Sequence, residues 1–326
     1  LTQNLIDVVS HEFFHTLTPL NIHSEEIHNF EYNTPLMSEH LWMYEGTTEY
    51  FANLFQINQG LIDEQNFYNR ILEKLNYSKR FDDTMSFTEM SAGIVDEPFQ
   101  ANYGNVYQKG ALINMCLDII IREQSGGEHG ILWVMQNLAK RYGTEKPFKD
   151  EELISEIVSM TYPEVETFFK THVEGTKPIN YMDYFNKVGL TIGDTEAPLS
   201  SIIFKENQNL FFEAKLNDEG INRFIVNGLN TTIESMGVKI DDVFLGLDDK
   251  MFPEINQENT NEINALLNAS FMWDDKTEFS ITVQRNNEII TFKGITGTPS
   301  AKVSGVINDT EASEASKKLR KAWLKN

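Results

Sequence analysis

Apolar residues recur at helical spacing through roughly the first 190 positions and alternate at strand spacing after about residue 199. Leu5, Val9, Phe13 and Leu17 fall one turn apart, which predicts one stripe of an amphipathic helix over about residues 3–17. Pro19 disfavours α geometry at Thr18 and should stop that helix. A second helix is expected to open at Ser38 as N-cap, with Glu39 in its first turn, and to run to about Phe55. Segments near 62–77, 106–123, 131–142, 150–160 and 163–173 have the same texture. Ser125-Gly126-Gly127, Gly143 and Gly175 stand just past periodic stretches, where helices end. Between 80 and 104 the period dissolves, and a connection of that length points to a functional or lid-like loop.

From Leu199 the runs SIIF, LFFEAKL, RFIVNGL, DVFLGL, EFSITVQ and EIITFKG are broken by Asn, Asp and Gly. They predict a small, mostly antiparallel domain, with INALLNASF as one embedded helix. Residues of about 310–325 predict a terminal helix carrying Lys317, Lys318, Arg320, Lys321 and Lys325, read as a solvated helix end. The expected organisation is a multi-domain α+β chain: a helical block over 1–195, a β-rich domain over 196–305, and a C-terminal helix or tail over 306–326.

Composition narrows the function classes. The 326 residues exceed one domain of about 150 residues. With 40% hydrophobic residues, 22 Phe and 11 Tyr, the chain can bury a sizeable core. No apolar run approaches the roughly 20 residues that span a bilayer, so no membrane span is expected. A net charge of −22 repels phosphate backbones and argues against nucleic acid as a partner. The single cysteine, Cys116, excludes an internal disulfide and a cysteine metal cage, and in INMCLDIII it reads as core packing. No Gly-rich phosphate loop has the required spacing. The chain opens at Leu1 without Met, signal sequence or basic leader, and is expected to be a fragment or a processed piece.

The chemistry starts at His11-Glu12-Phe13-Phe14-His15, an HExxH pattern on the first expected helix. Imidazoles at i and i+4 share a helix face and can reach one ion, and Glu12 is placed to take a proton from the attacking water. Catalytic zinc needs a third protein ligand. A metzincin would put Gly at 18 and His at 21, where this chain has Thr18 and Asn21. A gluzincin takes a Glu from a second helix, and LWMYEGTTEYF supplies Glu45. Glu49, one turn further on the same face, is suited to accept an imidazole N–H. The alternatives are that both are surface acids, or that His23, His28 or His40 replaces Glu45; His129 and His172 read as surface residues. Tyr107, in YQKGALINMCLD, carries a neutral donor suited to a developing oxyanion, although a lone Tyr more often packs.

Taken in order, HEFFHTLTP, LWMYEGTTEYF and YQKGALINMCLDIIIR resemble the glycyl aminopeptidase family of gluzincins, relatives of the aminopeptidase N family that end in a PDZ domain. The resemblance extends over PEVETFFKTHVEGT and the β-rich tail. It implies a mostly helical, thermolysin-like catalytic domain followed by a PDZ-like domain. It also implies one Zn2+ on His11, His15 and Glu45, with Glu12 as general base and Tyr107 stabilising the transition state. Gly46 and Gly110 match positions that serve backbone packing. The implied activity is removal of N-terminal Gly or Ala from peptides, with an endopeptidase on the same site or a non-catalytic peptide binder as alternatives. Bacterial relatives lean the expected location towards export.

Two departures stand beside the match. The family's N-terminal β-rich domain and the sheet ahead of the zinc helix have no counterpart in these residues, and Thr16-Leu17-Thr18 replaces an expected aromatic-Asn pair. In the tail, Phe224-Ile225-Val226, Met236-Gly237-Val238 and Asp242-Val243-Phe244 are similar to a bacterial PDZ core, with Asp241 where Gly is usual. Such a domain would add a peptide as a strand and hold its terminal carboxylate on backbone N–H groups; the alternative is a structural appendage.

Overall fold

The computed structural model describes residues 2–216, 220–274 and 276–324, so Lys325 of the expected terminal helix lies outside the described residues. The chain divides into two compact units, one of residues 1–192 with 306–326 and the other of residues 193–305. Among the described residues no helix is long and apolar enough to cross a membrane.

The first unit is helical: α1 (Thr2–Phe14), α2 (Glu25–His28), α3 (Leu41–Asn58), α4 (Glu64–Ser78), α5 (Phe87–Ala92), α6 (Asn105–Gln124), α7 (Ile131–Arg141), α8 (Asp150–Met160), α9 (Pro163–Phe168) and α10 (Tyr181–Lys187). At its centre α6 is buried almost all round, from Val106 to Arg122. It meets α3 backbone to backbone: a Cβ on Gly46 would lie 2.4 Å from the carbonyl carbon of Gly110. Asn114 fixes the register of this pair. Its amide donates to the carbonyls of Trp42 (2.7 Å) and Gly110 (2.9 Å) and accepts from Thr47 Oγ1 at 2.8 Å.

Several expectations are corrected here. α3 opens at Leu41, not after Ser38, because the Ser38 hydroxyl donates to Asp150 Oδ1 instead of capping a helix. The stretch 80–104 is ordered: Ser86 caps α5, Asn102 holds Asp82 N, and Lys109 pairs with Asp83 at 2.5 Å. α5 is too short to leave a period in the sequence. α1 ends at Phe14, three residues early, and its apolar stripe faces outward, with Leu5 64%, Val9 59% and Phe13 62% exposed. The inward face is the polar one. Asp7 meets Gln56 and Arg70 there, His11 meets α3, and Phe14 packs on Phe51 and Phe55.

The C-terminal helix (Glu314–Leu324) also departs from expectation, since it is part of the helical unit and buries Trp323 and Leu324 in its core. Trp323 Nε1 donates to the Tyr50 hydroxyl (2.7 Å), which donates to Asp118 Oδ2 (2.7 Å). Arg122 joins Asp118 to the Ala322 carbonyl. Apolar residues at the end of a basic helix dock; its lysines stay outside.

The second unit is entered along β1 (Leu190–Pro198) and left along β10 (Ser300–Asn308), which pair with each other. Between them lie β2 (Phe204–Lys205), β3 (Asn209–Leu210), β4 (Phe212–Leu216), β5 (Asn222–Val226), β6 (Val243–Leu247), β7 (Lys250–Met251), β8 (Glu278–Arg285) and β9 (Glu288–Ile295). An antiparallel sheet of order β4-β5-β6-β8-β9, with β7 beside β6, packs Phe211, Phe212, Phe244 and Ile281 with α11 (Thr231–Met236) and α12 (Thr260–Ala269). Asp241 adopts φ 70°, the left-handed conformation for which Gly is the usual residue. Its neighbour Asp242 is buried and takes two hydrogen bonds from Arg285 and one from Lys239 N.

Candidate metal centre

Three nitrogen and oxygen atoms converge where α1 crosses α3. Glu45 Oε2 lies 3.2 Å from His11 Nε2 and 3.5 Å from His15 Nε2. Zn–N and Zn–O bonds of about 2.0–2.2 Å in tetrahedral array separate their ligands by roughly 3.3–3.5 Å, and both separations from Glu45 Oε2 are close to that spacing. The outer nitrogens fix both tautomers. His11 Nδ1–H donates to Glu49 Oε2 at 2.8 Å, and His15 Nδ1–H donates to the Thr18 carbonyl at 3.0 Å. An ionised carboxylate and a carbonyl only accept, so once a ring is neutral its Nε2 carries the lone pair. His15 reaches its carbonyl because α1 stops at Phe14 and the chain turns back through Thr18.

Electrostatics follow from this packing. Burial disfavours charge on His11, but hydrogen bonds to Glu45 and Glu49 outweigh it and raise its pKa to about 9. Burial likewise opposes ionisation of Glu45 and Glu49, yet His11 and His15 hold the first at about 2, and His11 and Lys74 hold the second at about 2. In the ion-free site a proton therefore sits where a cation would, and binding the cation would release it.

Glu12 is exposed beside this cluster, and ligating atoms of His11, Glu12 and His15 lie within 4.8 Å of one another. The Tyr107 ring stands 5.9 Å from that of His11, and its hydroxyl is 3.2 Å from that of Tyr103. Burial, then Tyr103 and the Glu45 charge, push the Tyr107 pKa up, so the hydroxyl stays a donor. Gly46 follows Glu45 and Gly110 lies one turn beyond Tyr107, so the close α3–α6 crossing brings the helix segments that bear Glu45 and Tyr107 together.

The other histidines engage elsewhere. His40 is buried, with Nε2–H donating to the Asp150 carbonyl and Nδ1 accepting from Trp42. His23 bonds the Pro19 carbonyl and stacks on His28 at 5.2 Å. His129 stacks on Trp133, and His172 donates to the Lys177 carbonyl. Cys116 is fully buried. Sequence reasoning missed Lys74, whose ammonium pairs with Glu49 Oε1. The signal was there: Lys74 lies in register with Phe67, Ile71 and Ser78 on the buried face of α4.

All of these site residues fall within a stretch that a known family shares. Residues 4–113 match the M61 glycyl aminopeptidase family. The M61 stretch holds His11, Glu12, His15, Glu45, Glu49, Lys74 and Tyr107. A crystal structure of an aminopeptidase N family protein from Idiomarina loihiensis is similar over 100% of this chain, at 19% identity and a TM-score of 0.57. That likeness is one of fold, and this chain spans 55% of the length of that one. Two structures of the PDZ domain of EpsC from Vibrio cholerae match 26% of this chain at 18% and 17% identity, covering 75% and 94% of their own chains, with a TM-score of 0.20 each. No curated protein matches the chain.

Proposed function

We propose that the chain is the zinc-bearing part of an aminopeptidase that removes small N-terminal residues, Gly or Ala, from peptides. The observation that carries this reading is the convergence of two imidazole Nε2 atoms on one oxygen of Glu45, with both Nδ1–H groups spoken for. His11, His15 and Glu45 would hold one Zn2+, which when bound acidifies water and polarises the scissile carbonyl. Glu12 takes the proton from the attacking water and delivers it to the leaving amine. Tyr107 donates its hydrogen bond to the oxygen on which negative charge develops. Glu49 keeps the His11 ring oriented by accepting from Nδ1.

The β-rich unit offers the exposed edge strands β4 and β9. A peptide C-terminus added as a further strand is the role we assign to it, on the similarity to PDZ cores.

Zinc content and peptide hydrolysis test the reading together. Wild-type protein should carry zinc, and Glu45→Gln should lose most of it; unchanged occupancy in the mutant would require another ligand. Gly- and Ala-initiated peptides should be cleaved with free N-termini and spared when acetylated. Equal cleavage of both forms would make the enzyme an endopeptidase, and silence with zinc bound would leave the β-rich unit as the functional part.

A further inference from the structure

Glu45 and Glu49 stand one turn apart on α3, and both reach His11: Glu45 Oε2 lies 3.2 Å from Nε2, and Glu49 Oε2 lies 2.8 Å from Nδ1. The two carboxylates thus engage opposite nitrogens of one ring, and only Glu45 stands beside the Nε2 atoms of both histidines. Lys74 separates them. The residue is 9% exposed on a face of α4 otherwise made by Phe67, Tyr68, Ile71 and Ser78, and a buried ammonium is tolerated only when paired. Its partner is Glu49 Oε1, so each oxygen of Glu49 is engaged, one by Lys74 and the other by His11.

We propose that Lys74 is a positioning residue of the metal centre. It pins Glu49 to its task of orienting His11 and leaves Glu45 alone to complete the ligand set. This inference rests on the zinc reading above. It adds a residue that touches neither ion nor substrate and acts only through Glu49.

The test measures zinc affinity by competition with a colorimetric chelator, on the full chain as wild type, Lys74→Met, Glu49→Gln and the double variant. Cobalt-loaded samples of all four add the visible d–d spectrum. Lys74→Met should weaken zinc about tenfold and alter the cobalt spectrum, within the range seen when partners of metal ligands are removed. On the Glu49→Gln background the same change should alter neither, because the two residues act as one unit. Lys74→Gln repeats the comparison if the Met variant does not fold. Unchanged affinity in Lys74→Met, or losses that multiply in the double variant, would overturn the proposal. A wild type that takes up no zinc would overturn the zinc reading as well; a zinc-loaded wild type with an indifferent Lys74 overturns this inference alone.

Discussion

Helices α1 and α6 bring His11 and Tyr107 to the same place, yet they are seated by opposite means. α6 is held by packing, buried nearly all round and pressed against α3 at Gly110. α1 is held by polar contacts through Asp7 and His11, and turns Leu5, Val9 and Phe13 outward. The difference teaches that period identifies a helix, whereas the chemistry of its neighbours decides which face goes in. A stripe of apolar residues is sent outward when the opposite face has better partners. In α1 those partners are Gln56, Arg70 and the carboxylates of α3.

The comparison can be broken at several points. Glu12→Gln, on α1, should lower turnover about 10²–10⁴-fold while leaving zinc content and melting temperature unchanged. Steady-state kinetics beside metal analysis check this, and an unimpaired mutant would remove Glu12 from the mechanism. Tyr107→Phe, on α6, should reduce kcat by roughly 10²-fold with KM and zinc little altered. Unchanged kcat would leave Tyr107 a packing residue. Gly46→Ala probes the seat of α6 itself. Alanine favours helix, but its Cβ would meet backbone atoms that no rotamer change can move, so about 1–3 kcal/mol should be lost. The melting midpoint should then fall by several degrees, and a rise would mean the crossing is looser than described. Val9→Ala, on the outward stripe of α1, should cost under about 0.5 kcal/mol in denaturant unfolding. A cost above about 1 kcal/mol would show that this stripe is covered in solution.

Much of the helical unit was legible because its helices are long. Segments predicted near 62–77, 106–123 and 131–142 correspond to α4, α6 and α7 within a few residues, as sustained periodicity allows. The short elements α5, α10 and α11 left no such trace, and β1 and β10 lay in runs of mixed polarity. The five residues HEFFH predicted directly that two imidazoles stand together, since the spacing alone brings both rings together. Glu45 and Glu49 were nameable only by motif, because what ranks them is a third helix. Lys74 does that ranking from α4, and a buried lysine in an apolar stripe is visible as an oddity before its partner is known. The destination of Trp323 was hidden for a similar reason: one aromatic at the end of a basic helix does not announce the tyrosine that waits for it.

That tyrosine sets an order of assembly. Tyr50 stands on α3, the helix that bears Glu45, and its hydroxyl is capped by a residue that emerges from the ribosome only after all of 193–305 has been made. At ordinary synthesis rates the helical unit must wait on the order of ten seconds for its closing piece while the β-rich insert forms ahead of it. The helical unit therefore cannot close around Tyr50 until the residues beyond 305 have been made, however early its other helices form.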